Sequence, residues 1–290
     1  MSLLDAALER ALAERLGAGV IGVSPLAGGD INAAFELELA GGRRVFMKTN
    51  RNAAEGMFEA EARGLGWLAE ARAIKVPEVV AVSGDVGPSF LVLELLEPAP
   101  RRKGFDEELG RSLAALHRAT PDRFGLDHAN FIGNLPQSNA THARWSEFLR
   151  SERLEPQLER ARRQGRSSRA IEHGFERLFA RLEALVGPEE PPARLHGDLW
   201  GGNLHVDAGG APCLIDPAVY GGHREMDLAM MRLFGGFSER VFAAYAEAFP
   251  LAPGHAERVP LCQLYPFMVH VNLFGGGYAT SVERVLERYV

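Results

Sequence analysis

Residues 196–216 carry the side chains whose types and spacing could support a reaction. Asp198 follows a strand-like stretch, and Asn203 comes five residues later, within the reach of one compact loop. Asp216 ends the next predicted strand. Carboxylate and amide oxygens are ligands that suit Mg²⁺, and a carboxylate can orient or deprotonate an acceptor hydroxyl. The pattern therefore predicts phosphoryl transfer from ATP, with Asp198 as the base and Asn203 and Asp216 as Mg²⁺ ligands.

A lysine and a glutamate in the N-terminal part could supply a further component. Lys48 lies in a predicted strand of valine, phenylalanine and methionine, where a charged side chain is unusual unless its head group has a partner. Glu61 lies in the next predicted helix, and its spacing to Leu65 and Leu68 places it on the apolar face. We predict a buried Lys48–Glu61 ion pair. A surface pair with a snorkelling lysine stays open, and Glu59 is the competing partner.

Hydrophobic periodicity places these residues in two kinds of structure. The alternation in residues 35–39 and the strands around it predict a small, mostly antiparallel sheet carrying one internal helix. Residues 98–104 have the composition of a linker, and helical spacing dominates after them. We therefore expect an α+β fold with two domains, residues 1–97 and residues 98–290.

Three helical predictions concern the second domain. Residues 148–161 predict one helix with a kink at Pro156, and residues 238–249 and 260–290 predict the last two helices. Asp227 falls at a helix start, where we expect a structural aspartate that ties down the loop around Asp198.

Composition and charge exclude several classes of function. The net charge of -6 and the pI near 5.9 argue against broad binding to nucleic acids or anionic membranes. Two cysteines among 290 residues cannot form a disulfide framework and fit a reducing compartment. The most apolar run, residues 90–96, contains a glutamate and is too short to span a bilayer. We expect a soluble, cytoplasmic protein.

The motif His196-Gly197-Asp198, with Asn203 and Asp216 after it, resembles the catalytic and metal-binding loops of the protein-kinase-like superfamily, in its aminoglycoside-phosphotransferase and choline-kinase branch. The resemblance implies a two-lobe fold with a small antiparallel-sheet N-lobe, containing one helix, and a larger, mainly helical C-lobe. It also implies ATP and Mg²⁺ as cofactors. The Lys48–Glu61 pair would hold the α- and β-phosphates.

Two further segments fall at nucleotide-binding positions of such a fold. Gly28-Gly29-Asp30 lies between two predicted strands, where backbone N–H groups could cover the phosphates. The segment lacks the full glycine motif of protein kinases, so by itself it indicates only a turn. Glu94-Leu95-Leu96 lies where the adenine-binding hinge would be and would offer backbone hydrogen bonds.

Five segments narrow the resemblance, which extends over nearly the whole chain. They are similar to the fructosamine-3-kinase (ketosamine-3-kinase) family in residues 57–61, 130–137, 153–157, 196–203 and 234–237. Membership implies ATP-dependent phosphorylation of the sugar O3′ hydroxyl of ketosamines, the fructosamine or ribulosamine adducts of amines. The phosphorylated adduct is labile, so the reaction would repair glycated protein.

The substrate pocket is the least constrained part of this interpretation. Trp200 could pack its indole on a sugar ring and donate its N–H to a hydroxyl, whereas a tryptophan buried in the core is the alternative. His270, Asn272 and Phe274 could line the same pocket, or the two polar residues could be satisfied core residues. His196 is expected to hold the loop as a buried structural histidine.

Other functions stay open at this point. The nearest is an aminoglycoside- or choline-type phosphotransferase, although that branch generally lacks Trp200 and the segment 130–137. A catalytically inactive nucleotide-binding protein is a second. A third treats His196, Asp198, His205 and Asp216 as a transition-metal site, which nothing in their spacing demands.

Overall fold

The computed structural model describes residues 4–26, 32–84 and 87–289, and the chain divides into two compact units. The first unit comprises Met1–Phe105 and Leu204–Pro217, and the second comprises Asp106–Asn203 and Ala218–Val290. The division therefore differs from the boundary expected after residue 97. Leu204–Pro217 belongs to the first unit because its backbone bonds there: Leu214 N donates to Lys75 O at 2.9 Å, and Arg102 N donates to Gly210 O at 3.0 Å.

The described residues up to 104 form two helices and a five-stranded antiparallel sheet in the order β1-β2-β3-β5-β4. The elements are α1 (Ala6–Leu16), β1 (Val20–Leu26), β2 (Ala33–Leu39), β3 (Arg44–Thr49), α2 (Met57–Glu70), β4 (Val79–Val82) and β5 (Phe90–Glu94). Asp5 caps α1 by accepting a hydrogen bond from Leu8 N at 2.9 Å. The predicted sheet with its internal helix is confirmed.

Alternation along the strands gives this sheet two buried faces. Phe90 and Val92 of β5 pack in the cluster that contains the leucines of α1, and Leu91 and Leu93 pack against α2. Successive side chains of a strand point to opposite faces, so the side chains of β3 also alternate between the two faces of the sheet. Met47 joins the α1 face, and Phe46 packs toward α2.

The middle of the chain is mainly helical and contains short hairpin strands. The elements are α3 (Phe105–Arg118), β6 (Asn130–Ile132), β7 (Leu135–Gln137), α4 (Trp145–Phe148), a π-helical segment (Leu149–Leu154), α5 (Glu155–Arg163), α6 (Arg169–Leu185) and β8 (Ala193–Leu195). The predicted single helix over 148–161 is thus three consecutive helical segments. Pro156 is the second residue of α5 and has no N–H to donate to the preceding turn, and the irregularity lies just before it as the π-helical segment.

The remaining elements carry the candidate site. They are a 3₁₀ turn (Gly201–Asn203), β9 (Leu204–Val206), β10 (Pro212–Leu214), β11 (Tyr220–Gly222), α7 (Glu225–Phe234), α8 (Glu239–Ala248), α9 (His255–Phe274) and α10 (Tyr278–Leu286). The helix predicted over 260–290 is two helices, because α9 ends at Gly275, whose φ of 68° suits glycine. No helix among the described residues is long and apolar enough to cross a membrane.

The core of the second unit forms around α6 and α9. Ile171, Phe175, Leu178 and Leu182 lie on one face of α6 and are buried. They join buried residues of α9 such as Leu264 and those of α10 in one apolar cluster. The helical spacing read from the sequence is therefore the spacing that builds this core.

Candidate active site

The loop that carries Asp198 begins with a turn that only glycine can make. Strand β8 ends at Leu195, and Gly197 follows with a φ of 82°. A Cβ at this glycine would lie 2.0 Å from the carbonyl oxygen of Ala218. Side chains are disfavoured at such a φ, and here no space exists for one. The backbone therefore turns sharply just before the candidate base.

A buried carboxylate holds this turn in place. Asp227, in the first turn of α7, accepts hydrogen bonds from His196 N at 2.8 Å and Gly197 N at 2.9 Å. His117 Nε2 donates to the same carboxylate at 3.2 Å, and its Nδ1 contacts the Tyr245 hydroxyl at 2.8 Å. Burial alone would raise the pKa of Asp227, but the bond from His117 and those from the loop amides lower it. The predicted structural role of Asp227 is confirmed.

Asp198 and Asn203 lie together within the second unit. Asn203 Nδ2 donates to the backbone oxygen of Asp198 at 2.8 Å and to its carboxylate Oδ2 at 3.2 Å. His196 is fully buried, and its Nδ1 accepts a hydrogen bond from Asp198 N at 3.3 Å, so it is the structural histidine that we expected. Because the nitrogen of Asn203 is directed at Asp198, its amide oxygen is the atom that could bind a cation.

Trp200 lies on the surface of this loop. It is 42% exposed, so the alternative of a core tryptophan is wrong. A Cβ at Gly202 would lie 2.3 Å from the indole, which shows that the ring covers this glycine. Phe234 meets the indole edge-on, with ring centroids 6.5 Å apart. The tryptophan therefore presents ring surface to solvent close to Asp198 in the chain.

In the first unit, Lys48 is buried between two carboxylates. Its Nζ lies 2.5 Å from Glu61 Oε1 and 2.8 Å from Asp216 Oδ1, and the lysine side chain is 6% exposed. The predicted Lys48–Glu61 pair is confirmed as a buried one. Glu59 instead accepts a hydrogen bond from the Ser83 hydroxyl at 3.3 Å.

This cluster holds one more negative than positive charge when all three groups are ionised. Burial alone would lower the pKa of Lys48, but Glu61 and Asp216 raise it. Burial raises the pKa of Glu61 to about 7, because Lys48 only partly offsets the loss of water. Asp216 is 52% exposed at its side chain. An exposed carboxylate beside excess negative charge is suited to a divalent cation with oxygen ligands.

Asp216 also has an unusual backbone conformation. Its φ is 53°, in the left-handed region that residues other than glycine rarely adopt. It follows β10, which pairs with β9 in a two-stranded antiparallel hairpin. Strain of this kind persists only where the surrounding structure imposes it. Here the ion pair with Lys48 and the attachment of β10 to Lys75 direct the carboxylate.

The two predicted nucleotide segments have different outcomes. Gly28, Gly29 and Asp30 lie outside the described residues. Glu94 ends β5, and its carboxylate accepts a hydrogen bond from Lys75 Nζ at 2.7 Å. Leu95 and Leu96 follow the strand and are half-buried. Outside helices and strands, the backbone hydrogen bonds among described residues do not involve these two leucines.

A small cavity in the second unit has Asp198 in its wall. Its volume is about 20 Å³, roughly the space of one water molecule. The lining residues are Ile132, Gly197, Asp198, Tyr220, Met226, Met230, Tyr265, Pro266, Val269 and His270. Four of them, Tyr265, Pro266, Val269 and His270, lie on one face of α9. Their helical spacing is the sequence signal that could have identified Tyr265 as a neighbour of His270.

His270 and Asn272, both predicted substrate residues, lie in different environments. His270 lines the cavity that contains Asp198. Asn272 does not line it: the residue is 4% exposed, and its Nδ2 donates to Gln157 O at 2.9 Å and Gln157 Oε1 at 2.7 Å. Because α9 turns Asn272 toward α5, the structure assigns it to the core and corrects the substrate prediction.

Several polar residues of the family-like segments form a buried network. Asn130 Nδ2 donates to Val219 O at 2.8 Å, and Gln137 Nε2 donates to Asn130 Oδ1 at 2.8 Å. Asn139 Nδ2 donates to the same Oδ1 at 2.9 Å, and Arg153 donates to Asn139 Oδ1 at 2.7 Å. These side chains support the backbone that follows Pro217. Their spacing in the sequence did not reveal this role.

The transition-metal alternative receives no geometric support. Within the part of the chain that the structure describes, no group of three or more histidine, cysteine, aspartate or glutamate residues is placed to hold a metal ion. Such a site needs several protein ligands around one point. A Mg²⁺ ion held largely by phosphates and water is a different case.

Known proteins match this chain along nearly its whole length. The sequence profile of the fructosamine kinase family matches residues 5–290. A probable ketoamine kinase of Enterococcus faecium is 36% identical over 268 residues, covering 92% of this chain and 95% of the relative. The chloroplastic protein-ribulosamine 3-kinase of Arabidopsis thaliana is 35% identical over 289 residues, covering 99% and 88%.

Solved structures show the same fold. A crystal structure of a protein assigned as a fructosamine-3-kinase, from Thermobifida fusca, is 36% identical and superposes with a TM-score of 0.88 over 98% of both chains. A more distant phosphotransferase, 17% identical, superposes with a TM-score of 0.62 and so shows the fold alone. The expected protein-kinase-like α+β fold is confirmed.

Gly197→Ala tests the turn before Asp198. A methyl group there meets the Ala218 carbonyl and forces a disfavoured φ. We expect the free energy of unfolding to fall by roughly 2–4 kcal/mol, measured by urea titration. Gly277→Ala is the control, because a Cβ at Gly277 contacts nothing within 4 Å and its φ is -65°. Equal stability of the two variants would contradict the steric account.

Glu61→Gln tests the buried charge cluster. The folded chain raises the pKa of Glu61 from 4.5 to about 7, so it binds more protons than the unfolded chain between these values. The free energy of unfolding should therefore fall as pH rises through this window, by on the order of 3 kcal/mol relative to Glu61→Gln. Lys48 stays protonated throughout.

Urea titrations of both proteins between pH 4 and 8 measure this difference. Glu55→Gln, at an exposed position of the same unit, is the isosteric control. A wild-type curve that runs parallel to that of Glu61→Gln would show that Glu61 does not titrate in this window.

Proposed function

This chain belongs to the fructosamine kinase family, and we propose that it transfers the γ-phosphoryl group of ATP to the 3′-hydroxyl of a ketosamine. The observation that carries the proposal is the family match over residues 5–290, which contain the Asp198–Asn203 pair. Members of the family are ATP-dependent phosphotransferases, so the chain is an enzyme of this class. The proposed substrates are fructosamines and ribulosamines, and the reaction would remove sugars from glycated amines.

Asp198 is the proposed base for the acceptor hydroxyl. Its carboxylate lies in the wall of a small cavity and accepts a hydrogen bond from Asn203. The turn at Gly197, held by Asp227, fixes the direction of this side chain. In phosphoryl transfer the protein contributes mainly by positioning and charge, so a base held by a rigid loop is supported by this geometry.

The first unit is the proposed nucleotide site. Lys48, kept in place by Glu61, would neutralise the phosphates of ATP, and the amides of Leu95 and Leu96 would bond the adenine. The segment Gly28-Gly29-Asp30 would cover the phosphates. This assignment is supported by the Lys48 ammonium, which is buried between Glu61 and Asp216.

Asp216 and Asn203 are the proposed protein ligands of Mg²⁺. Each offers a hard oxygen, and the carboxylate of Asp216 belongs to a cluster with excess negative charge. When bound, Mg²⁺ would neutralise charge on the transferred phosphoryl group. The residues present therefore fit such an ion.

Trp200 and His270 are the proposed contacts to the ketosamine. The exposed indole offers an apolar face for the sugar ring and an N–H for a hydroxyl. His270 lines the cavity beside Asp198.

We also propose that the enzyme acts in the cytoplasm, which is supported by two buried cysteines that are both free.

A substrate panel tests the proposed function. ATP consumption should be stimulated by a ribulosyl- or fructosyl-amine, and at least about a hundredfold less by kanamycin or choline, because only the ketosamine presents the matching sugar hydroxyl. A coupled assay for ADP measures this, and phosphorus NMR of the product identifies the phosphorylated oxygen. Turnover of kanamycin or choline alone would overturn the proposal.

Asp198→Asn tests the proposed base. The amide can keep the contact with Asn203 but cannot accept the hydroxyl proton. We expect kcat to fall by roughly 10²–10⁴-fold, with ATP affinity changed less than about twofold. Asp122→Asn, at an exposed position of the second unit, is the matched control. Steady-state kinetics and calorimetry with ATP separate the two effects, and near-normal kcat in Asp198→Asn would refute the assignment.

A further inference from the structure

Exposed aromatic residues are concentrated at one place in the second unit. Among the described residues, the large apolar side chains that are exposed are Ile21, Trp200, Phe234 and Phe274. Three of these four belong to the second unit, and Phe274 is 59% exposed. Single exposed apolar residues need no explanation, whereas a contiguous group of them indicates a binding surface.

Ring contacts make this group continuous. His270 has its ring centroid 4.8 Å from Phe234, 4.8 Å from Tyr278 and 5.5 Å from Phe274. We call Phe234, His270, Phe274 and Tyr278 the aromatic strip. Phe234 also contacts Trp200. The strip therefore continues from the residue proposed to bind the sugar.

The helix ends fix the strip in place. Phe234 and Phe274 are the last residues of α7 and α9, and Tyr278 is the first residue of α10. Arg166 donates to the carbonyl oxygens of Val271 at 2.8 Å and Asn272 at 2.5 Å, and so caps α9. The rings are thus held by ordered backbone although they are partly exposed.

His270 links the strip to the catalytic cavity. Its Nδ1 lies 2.7 Å from the carbonyl oxygen of Pro266, so Nδ1 donates and carries the proton. Nε2 is then an acceptor in the neutral ring. Burial lowers the pKa of His270, which favours this neutral form. The same residue lines the cavity that contains Asp198. An acceptor nitrogen among aromatic faces is suited to an alkylammonium group.

We propose that the aromatic strip is the subsite for the amine half of the ketosamine. Nε2 of His270 accepts a hydrogen bond from the protonated secondary amine, and Phe234, Phe274 and Tyr278 pack on the carbon substituent of that amine. This inference rests on the proposed function, which places the sugar at Trp200. The occupant is an apolar or aromatic substituent, because the four side chains of the strip offer mainly ring surface.

Two substrates with the same sugar test the subsite. The ketosamine of phenethylamine should have a kcat/KM about tenfold or more above that of methylamine, because only its substituent reaches the rings. In Phe274→Ala this ratio should fall about tenfold. Phe274 is mostly exposed, so the variant should fold, and its thermal unfolding is compared with wild type. Ile21→Ala, an exposed apolar residue of the first unit, is the control and should keep the ratio.

A second variant tests the hydrogen bond from the amine. His270→Phe keeps an aromatic ring but removes the acceptor nitrogen. The comparison uses a substrate analogue in which an ether oxygen replaces the amine nitrogen. Wild type should have a higher kcat/KM for the amine than for the ether, and His270→Phe should reduce that ratio at least about tenfold. An unchanged ratio in His270→Phe would refute the hydrogen bond to Nε2.

The possible outcomes separate this inference from the proposed function. If the wild type phosphorylates both ketosamines with equal kcat/KM, or if Phe274→Ala keeps the wild-type ratio, the subsite is refuted while the proposed function stands. If neither ketosamine is phosphorylated, the proposed function fails and the subsite with it. A changed ratio in both Phe274→Ala and Ile21→Ala would show a general effect on folding and would also overturn the inference.

Discussion

The buried ammonium of Lys48 is the interaction on which the first unit depends. Removing a charge from water costs several kcal/mol unless partners surround it, and the partners here come from distant parts of the chain. Glu61 lies on α2, and Asp216 lies beyond β10. The need to satisfy one cation therefore joins sheet, helix and the segment Leu204–Pro217 in one unit. It also leaves a carboxylate partly exposed beside excess negative charge.

The second unit uses a buried carboxylate in the same way. Asp227 binds two consecutive amides of the loop before Asp198 and is itself held by His117. A loop whose amides were left to water would move, and the Asp198 side chain on it would lose its direction. The glycine that makes the turn is required by sterics, because the Ala218 carbonyl occupies the space of a side chain. The loop before Asp198 is thus held by contacts of its backbone amides and of Gly197 as much as by side chains.

Several residues through which this sequence resembles the fructosamine-3-kinase family have a structural role. Asn130, Gln137 and Arg153 stand in segments that resemble the fructosamine-3-kinase family, and each is buried in a network that holds the backbone near Val219. Arg153 is fully buried against the rings of Phe148 and Tyr220. Such a network tolerates few replacements, since a buried donor without a partner is costly. Resemblance in these segments therefore reflects support of the fold.

By itself the sequence determined the features that local spacing encodes. Alternation and helical periodicity predicted the antiparallel sheet, the inward position of Glu61 and the roles of His196 and Asp227. Only the tertiary structure decided which distant groups meet. Leu204–Pro217 joined the first unit, Asn272 turned into the core, Trp200 stayed exposed, and the last predicted helix broke at Gly275. Periodicity reports which face of an element is apolar, whereas the partner of that face depends on long-range packing that no short pattern contains.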